Sequence, residues 1–156
     1  MRGINSFALL LVFLAPGAPG RRPDEPPAPP APWQVLLATQ DRDLSSTSPI
    51  TTRGTSRGAI FWITITASPG KQQMLLCQIQ GFDPDTGMYP EIYLSRPIPG
   101  SEPGTYSIFI HPNLDRNLEN LNHETHQAQL TDSYRVSMIH ITHGVWTYSV
   151  AVTLVP

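Results

Sequence analysis

The chain has 156 residues, a formal net charge of −2 and 14% charged residues, which suits one domain with an appended tail. The slight negative charge argues against a dedicated nucleic-acid-binding protein, because such proteins normally carry a basic excess. Charged residues form about 25% of an average soluble domain. This surface is therefore expected either to be covered by partners or to be rich in hydroxyl groups.

The first 32 residues differ in composition from the rest of the chain. Residues 1–15 contain an apolar run that is shorter than the roughly 20 residues of a membrane span but has the length of a signal-peptide core. Two interpretations stay open: a processed signal peptide, or an apolar terminal anchor that docks into a neighbouring subunit. No membrane is expected as a partner unless this run is retained as an anchor.

Residues 16–32 are rich in proline. Proline fixes φ and lacks an amide donor, so this stretch cannot form a helix or a central strand. The composition predicts an extended polyproline-type arm that rises roughly 3.1 Å per residue. Such an arm either reaches across a neighbouring subunit or serves as a disordered spacer.

Short apolar runs separated by turn residues fill the chain from residue 33 to residue 156. The last run alternates with period two, and the run before it carries Tyr134, Val136 and Met138 on one face, as strands with a buried face do. Ile139 and Ile141 extend that run's apolar character to its second face, which predicts a central strand. We predict an all-β domain, an antiparallel β-sandwich or jelly-roll of about seven strands with an extended Pro-rich N-terminal arm. The candidate strands are 33–39, 58–67, 72–81, 88–95, 105–111, 133–143 and 145–155.

The acidic run at residues 83–87 has two interpretations, a calcium loop or a turn between strands. An EF-hand loop needs further oxygen ligands and a late glutamate over twelve residues, and the sequence after Asp83 and Asp85 does not supply them at that spacing. Pro84 and Gly87 are the residues that a tight turn requires, because proline presets φ and glycine accepts positive φ. The sequence therefore favours a turn.

The polar stretch 113–130 interrupts the strand pattern. Leu114, Leu118 and Leu121 have helical spacing, which predicts one or two helical turns across the end of the sandwich. A long insertion in a compact domain usually has a function, so we expect contact with a partner, with a plain surface loop as the alternative.

The histidines are the strongest candidates for a metal site. His123 and His126 could share an ion on a helical turn, although zinc would need two more ligands, which a symmetric neighbour could supply. His140 and His143 point to opposite faces of a strand and cannot chelate one ion together. A metal-dependent enzyme that uses His123, His126 and Asp83 is accordingly the least favoured of three functional hypotheses.

No further group suggests catalysis. The sequence has no Gly-x-Ser-x-Gly nucleophile motif and no phosphate-binding glycine loop, and Glu91 is the main acidic residue within the strands. The charged segments 41–43 and 53–57 are interpreted as solvated linkers, and Cys77, the only cysteine, as a buried inert thiol. We therefore predict no catalytic residue, no cofactor and no metal site, and no enzymatic activity.

A set of turn and strand positions occurs in a fixed order along the chain: Arg57-Gly58, Gln80-Gly81, Asp83-Pro84, Tyr93, Thr142-His143 and Thr147-Tyr148-Ser149-Val150. Through these positions the region from Trp33 to Val155 resembles a group of small phage and prophage proteins, virion-associated β-sandwiches of the head-decoration or tail-accessory type. The chain departs from that group at its N-terminus and in the long polar insertion.

This resemblance implies a non-enzymatic virion structural protein, a capsid decoration or accessory protein that binds the major capsid or tail protein. It is expected to be a homo-oligomer, with a trimer as the expected size, and to clasp neighbouring subunits through its N-terminal arm. The alternative is a secreted or surface-anchored β-sandwich that binds a glycan or protein. Exposed aromatic residues on one sheet face are the feature expected of that alternative.

Overall fold

The computed structural model describes residues 33–115, 117–119 and 122–156. The signal-like run and the Pro-rich arm lie outside these described residues. All regular structure within them is β-strand, and none of their segments is a helix able to cross a membrane. The strands are β1 (Gln34–Arg42), β2 (Ser46–Thr47), β3 (Thr51–Thr52), β4 (Gly58–Ala67), β5 (Met74–Gly81), β6 (Glu91–Leu94), β7 (Ile98–Pro99), β8 (Gly104–Ile110), β9 (Leu118–Glu119), β10 (His123–His126), β11 (Ser133–His140) and β12 (Trp146–Val155).

Two sheets form a sandwich-like arrangement. The first sheet has the strand order β1-β12-β4-β8-β10-β9, and the second has the order β2-β11-β5-β6, with β3 also paired to β11 and β7 to β5. Each of the seven predicted strands overlaps one of the longer observed strands. The all-β, two-layered prediction is confirmed. The central position predicted for the sixth strand is also confirmed, because β11 pairs with β5 on one side and with β2 and β3 on the other.

The hydrophobic core lies between the two sheets. The predicted inward faces of β11 and β12 are buried, and the Phe61 ring meets the Tyr134 ring edge-on across the core at 5.7 Å between centroids. Ile141 is an exception to the prediction, since it follows the end of β11 and is 48% exposed. Cys77 is fully buried, and burial raises the pKa of its thiol far above its usual range, as an inert cysteine requires.

The predicted helical turns in the 113–130 insertion are wrong. The insertion contains β9 and β10 instead, and β10 runs parallel to β8, so the sheet is not purely antiparallel as predicted. The backbone of β8 explains this outcome: Ser107 and His111 donate amide hydrogen bonds to the carbonyls of Asn122 and His126. Without β10, these groups at the edge of the sheet would have lacked protein partners, and satisfying them outweighs the weak helical spacing of the leucines.

The acidic run at 83–87 forms the predicted turn. The Gly87 amide donates to the Asp83 carbonyl at 2.8 Å, and Gly87 has the positive φ of 69° that the turn requires. The Asp83 carboxylate accepts hydrogen bonds from the Thr86 hydroxyl and the Asp85 amide. These two donors, of which the Thr86 hydroxyl has the larger effect, lower the pKa of the Asp83 carboxyl. The carboxylate therefore stabilises its own turn.

Candidate binding surface

The outer face of the first sheet carries an apolar row where a sandwich usually presents polar side chains. In antiparallel sheets with one solvated face, apolar residues point inward and polar residues outward. Here, the strand register aligns one residue from each of five neighbouring strands on the outer face, namely Val35, Ala151, Trp62, Ser107 and His123. The first three are apolar, so the half of this face nearest β1 can bury hydrophobic area against a partner.

A groove lies over this apolar part of the row. We call it the Trp33–Trp62 groove; it is a hollow of about 190 Å³ over β1, β12 and β4. Trp33 and Val35 form its outer side and are 42% and 47% exposed. Exposed large apolar side chains gathered in one place mark interaction surfaces more often than singly scattered ones do. The groove is lined by Trp33, Val35, Thr39, Trp62, Thr64 and Ser149, with small aliphatic residues between them.

The two indole rings of the groove differ in how they are held. Trp62 Nε1 donates a hydrogen bond to Thr153 Oγ1 at 3.2 Å, which fixes the ring against the sheet. Trp33 precedes β1, and its exposed ring carries an indole N–H donor. A fixed aromatic floor and an exposed aromatic side with an available donor are features of protein-binding hot spots.

The groove is electrically neutral. No Asp, Glu, Lys or Arg side chain lines it, and its polar side-chain groups are the hydroxyls of Thr39, Thr64 and Ser149 and the indole N–H groups of the two tryptophans. A charged ligand would lose hydration on entering without gaining a partner of opposite charge. The lining therefore selects a neutral, largely apolar occupant with a few hydrogen-bonding groups.

The β1 edge of the first sheet carries features that oppose strand pairing. β1 is bulged between Val35 and Leu37 and again between Leu37 and Gln40. The Arg42 guanidinium donates to the carbonyls of Ala38 and Gln40 on this strand at 2.7 and 3.1 Å. Bulges and charged side chains at an edge are devices that prevent edge-to-edge association. A partner is therefore more easily accommodated on the face than on the edge.

The prediction that segments 41–43 and 53–57 are solvated linkers is wrong in part. Arg42 lies within β1, and its guanidinium stacks over the Tyr148 ring at 4.6 Å from the centroid. Arg53 forms an ion pair with Asp132 at 2.6 Å, and its side chain is only 18% exposed. Both arginines hold loops and edges to the sandwich, a role that depends on tertiary contacts and not on local sequence.

The structure separates the two candidate metal-binding histidines. On β10, His123 points outward, where its Nδ1 lies 2.6 Å from Ser107 Oγ, and His126 points the other way and stacks near the Tyr93 ring at 4.7 Å. Side chains three residues apart point to opposite faces of a strand, so the helical turn on which the two histidines could have shared an ion is not formed here. Among the described residues, no group of three or more His, Cys, Asp or Glu side chains could hold a metal ion.

Sequence reasoning missed the buried carboxylate of Glu124. Glu124 is 7% exposed and accepts hydrogen bonds from the Tyr93 hydroxyl at 2.7 Å and from the Arg96 amide at 3.2 Å. Glu91, the acidic residue that the sequence favoured, is exposed and accepts a hydrogen bond from Gln78. The cavity beside Glu124 is about 10 Å³, room for one water at most. This carboxylate therefore serves packing between the sheets.

A second hollow on the surface is larger and more open. It measures about 670 Å³ and lies beside the Arg53–Asp132 ion pair, with Phe82, Pro84 and Leu130 in its wall. The Arg53 guanidinium in this hollow already donates hydrogen bonds to the Asp132 carboxylate and the Ser56 carbonyl. Leu130, its largest aliphatic side chain, is fully buried. Polar groups therefore make up a larger share of the surface of this hollow than of the Trp33–Trp62 groove.

Comparison of the chain with protein-family models, with curated proteins and with solved structures found no significant match. The resemblance to virion-associated proteins therefore stays a prediction.

Proposed function

We propose that the described domain is a non-enzymatic β-sandwich binding module that holds another protein chain on the outer face of its first sheet. The observation that carries this proposal is the alignment of Val35, Ala151 and Trp62 across three strands with the exposed ring of Trp33 beside them. Burying apolar area contributes about 25 cal/mol per Å², so covering the exposed side chains of Trp33 and Val35 and the half-buried ring of Trp62 supplies a driving force for association. Exposed aromatic residues on one sheet face are the feature expected of the alternative, a secreted or surface-anchored β-sandwich that binds a glycan or protein, so this alternative is tested below.

The chemistry of the groove favours a protein over a glycan. Sugar hydroxyls both donate and accept, and they are matched best by side chains with two polar atoms, such as carboxylates, amides and guanidinium groups. The Trp33–Trp62 groove has none of these in its lining and offers single hydroxyls and indoles. A peptide backbone or an apolar side chain fits this neutral lining better. A glycan remains the second candidate because of the tryptophan platform.

The setting of this binding is proposed from the resemblance alone. Virion-associated sandwiches act in assemblies of identical and different subunits, which accords with a chain whose charged fraction is 14%. We propose a homo-oligomer in which the outer face of the first sheet forms the contact between subunits, and other virion proteins as further partners. A secreted location is the alternative.

The test is sedimentation of the full-length chain over a range of concentrations, together with binding to immobilised oligosaccharides. We expect the wild type to self-associate and the Val35→Arg variant to sediment as a monomer, because a guanidinium would then have to be buried in the neutral groove. Ile141→Arg is the matched control. Ile141 is 48% exposed, close to the value for Val35, but it follows β11, which is a strand of the second sheet. A wild type that stays monomeric and binds oligosaccharides through Trp33 would contradict the proposal in favour of the glycan.

A further inference from the structure

We propose that the occupant of the Trp33–Trp62 groove is the Pro-rich segment, residues 23–32, of a second copy of the chain. This inference rests on the proposed function and names its ligand. The segment lies outside the described residues, ends directly before Trp33 and contains the sequence PDEPPAPPAP. Each chain thus carries both a groove and a candidate ligand for it.

The hydrogen-bonding chemistry of the two parts is complementary. A proline residue has a carbonyl acceptor and no amide donor, so a proline-rich segment needs donors from its binding site and leaves few of its own groups unsatisfied. The groove supplies donors in the Trp33 indole N–H and in the hydroxyls of Thr39 and Ser149. Proline-rich ligands dock on aromatic-lined grooves in this manner, with a preformed backbone that loses little entropy.

The charges of the two parts are also compatible. Residues 26–32, PPAPPAP, carry no charge, and the groove lining carries none. The acidic residues Asp24 and Glu25 and the basic residues Arg21 and Arg22 precede this neutral stretch. They can therefore stay in water while the neutral stretch occupies the groove.

The length of the neutral stretch is also sufficient for the width of the groove. The groove spans β1, β12 and β4, and two strand-to-strand spacings amount to roughly 10 Å. A polyproline segment rises roughly 3.1 Å per residue, so about four residues cross the groove. The neutral stretch is long enough to cover it with residues to spare.

Exchange between copies is favoured over binding within one chain. The segment ends at Trp33, which itself forms one side of the groove, so a segment docking on its own domain would have to reverse direction immediately before Trp33. Proline fixes φ near −65° and opposes such a reversal. The only glycines near the segment, Gly17 and Gly20, lie upstream of it. The proline content of the segment therefore favours docking on a second copy over docking on its own domain.

The experiment measures self-association of the full-length chain by sedimentation for the wild type, a groove variant and a segment variant. The groove variant is Val35→Arg, with Trp33→Ala as a second version that leaves all strands intact. The segment variant combines Pro26→Ser, Pro27→Ser, Pro29→Ser and Pro30→Ser. Arg21→Ser with Arg22→Ser is the matched control, since these residues lie outside the neutral stretch. We expect each groove or segment variant to raise the dissociation constant at least about tenfold and the control to leave it unchanged.

Mixing the variants tests the exchange directly. The groove variant keeps an intact segment, and the segment variant keeps an intact groove, so their mixture should form a heterodimer although neither associates alone. A mixture that stays monomeric would overturn the inference. A segment variant that associates like the wild type would also overturn the inference. If Val35→Arg nevertheless loses self-association in the same experiment, the proposed function still stands. Wild-type chains that are monomeric at all concentrations would overturn the self-association in both proposals.

Discussion

Tyr93 on β6 donates a hydrogen bond from its hydroxyl to Glu124 on β10, over 2.7 Å. The two strands belong to different sheets, so this bond ties the layers of the sandwich together at the end where the polar insertion lies. Glu124 also accepts from the Arg96 amide. The insertion is therefore fastened to the domain by a buried carboxylate, and not merely attached as a surface loop.

Replacing Tyr93 with phenylalanine should destabilise the domain. The change removes one donor from a carboxylate that is 7% exposed, and such a loss costs about 1–3 kcal/mol in the free energy of unfolding. Chemical denaturation measures it. Tyr89→Phe is the control, because the Tyr89 ring packs on Phe82 and Arg135 while its hydroxyl has no partner among the described residues. Equal effects of the two substitutions would show that the Tyr93–Glu124 bond contributes nothing.

Replacing Tyr134 with phenylalanine, in contrast, should not destabilise the domain. Tyr134 is fully buried, and its hydroxyl has no hydrogen-bond partner in the part of the chain that the structure describes. Burial raises the pKa of this hydroxyl, which reflects the same poor solvation. Phenylalanine keeps the edge contact with Phe61 and removes a poorly solvated polar group, so stability should be unchanged or rise by about 1 kcal/mol. A loss of stability in denaturant would indicate that the hydroxyl has a partner after all.

Replacing Gly87 with alanine should test the turn at 83–87. The φ of Gly87 is 69°, and an added Cβ would meet nothing within 4 Å, so only backbone strain opposes the change. We expect a cost of about 1–2 kcal/mol for alanine and a smaller cost for asparagine, which tolerates positive φ. Gly104→Ala is the matched control, since Gly104 also has open space but no positive φ. If both alanine variants unfold at the same denaturant concentration, the turn does not require positive φ.

His140 should make the stability of the domain depend on pH. Burial beside Trp146 and Tyr148 lowers the pKa of His140, although the carbonyl and charge of Asp43 oppose the shift. The unfolded chain then binds a proton at His140 more readily than the folded one. The contribution of His140 is thus complete above the unfolded pKa of about 6.5 and declines as the pH falls from there to the lowered folded pKa.

The measurement for His140 is the free energy of unfolding of the wild type minus that of His140→Gln, across this pH range. The difference should decrease as the pH falls, because only the wild type loses stability through this group. A difference that is constant with pH would contradict the lowered pKa.

The sequence was most informative where structure is local. Alternation in β11 and β12 identifies their buried faces because each strand is long enough to repeat its period several times. The four residues of β10 are all polar, so the local sequence predicts that Glu124 is exposed. Its burial depends on contact with Tyr93, which belongs to the other sheet. The alignment of Val35, Ala151 and Trp62 depends on the register of three strands, two of which are far apart in sequence. Local periodicity carries no information about that register, so the groove could not be predicted.

The central claim is that the outer face of the first sheet is where a second copy of the chain binds. The most direct measurement places a photo-activated cross-linking amino acid at position 35, in a sample that mixes isotope-labelled and unlabelled full-length chains, and identifies the products by mass. We expect cross-links from position 35 to residues 23–32 of the other chain, and no such product when the cross-linker is placed at position 141. Cross-links that join position 35 only to its own chain, or that are equally frequent from both positions, would contradict the account.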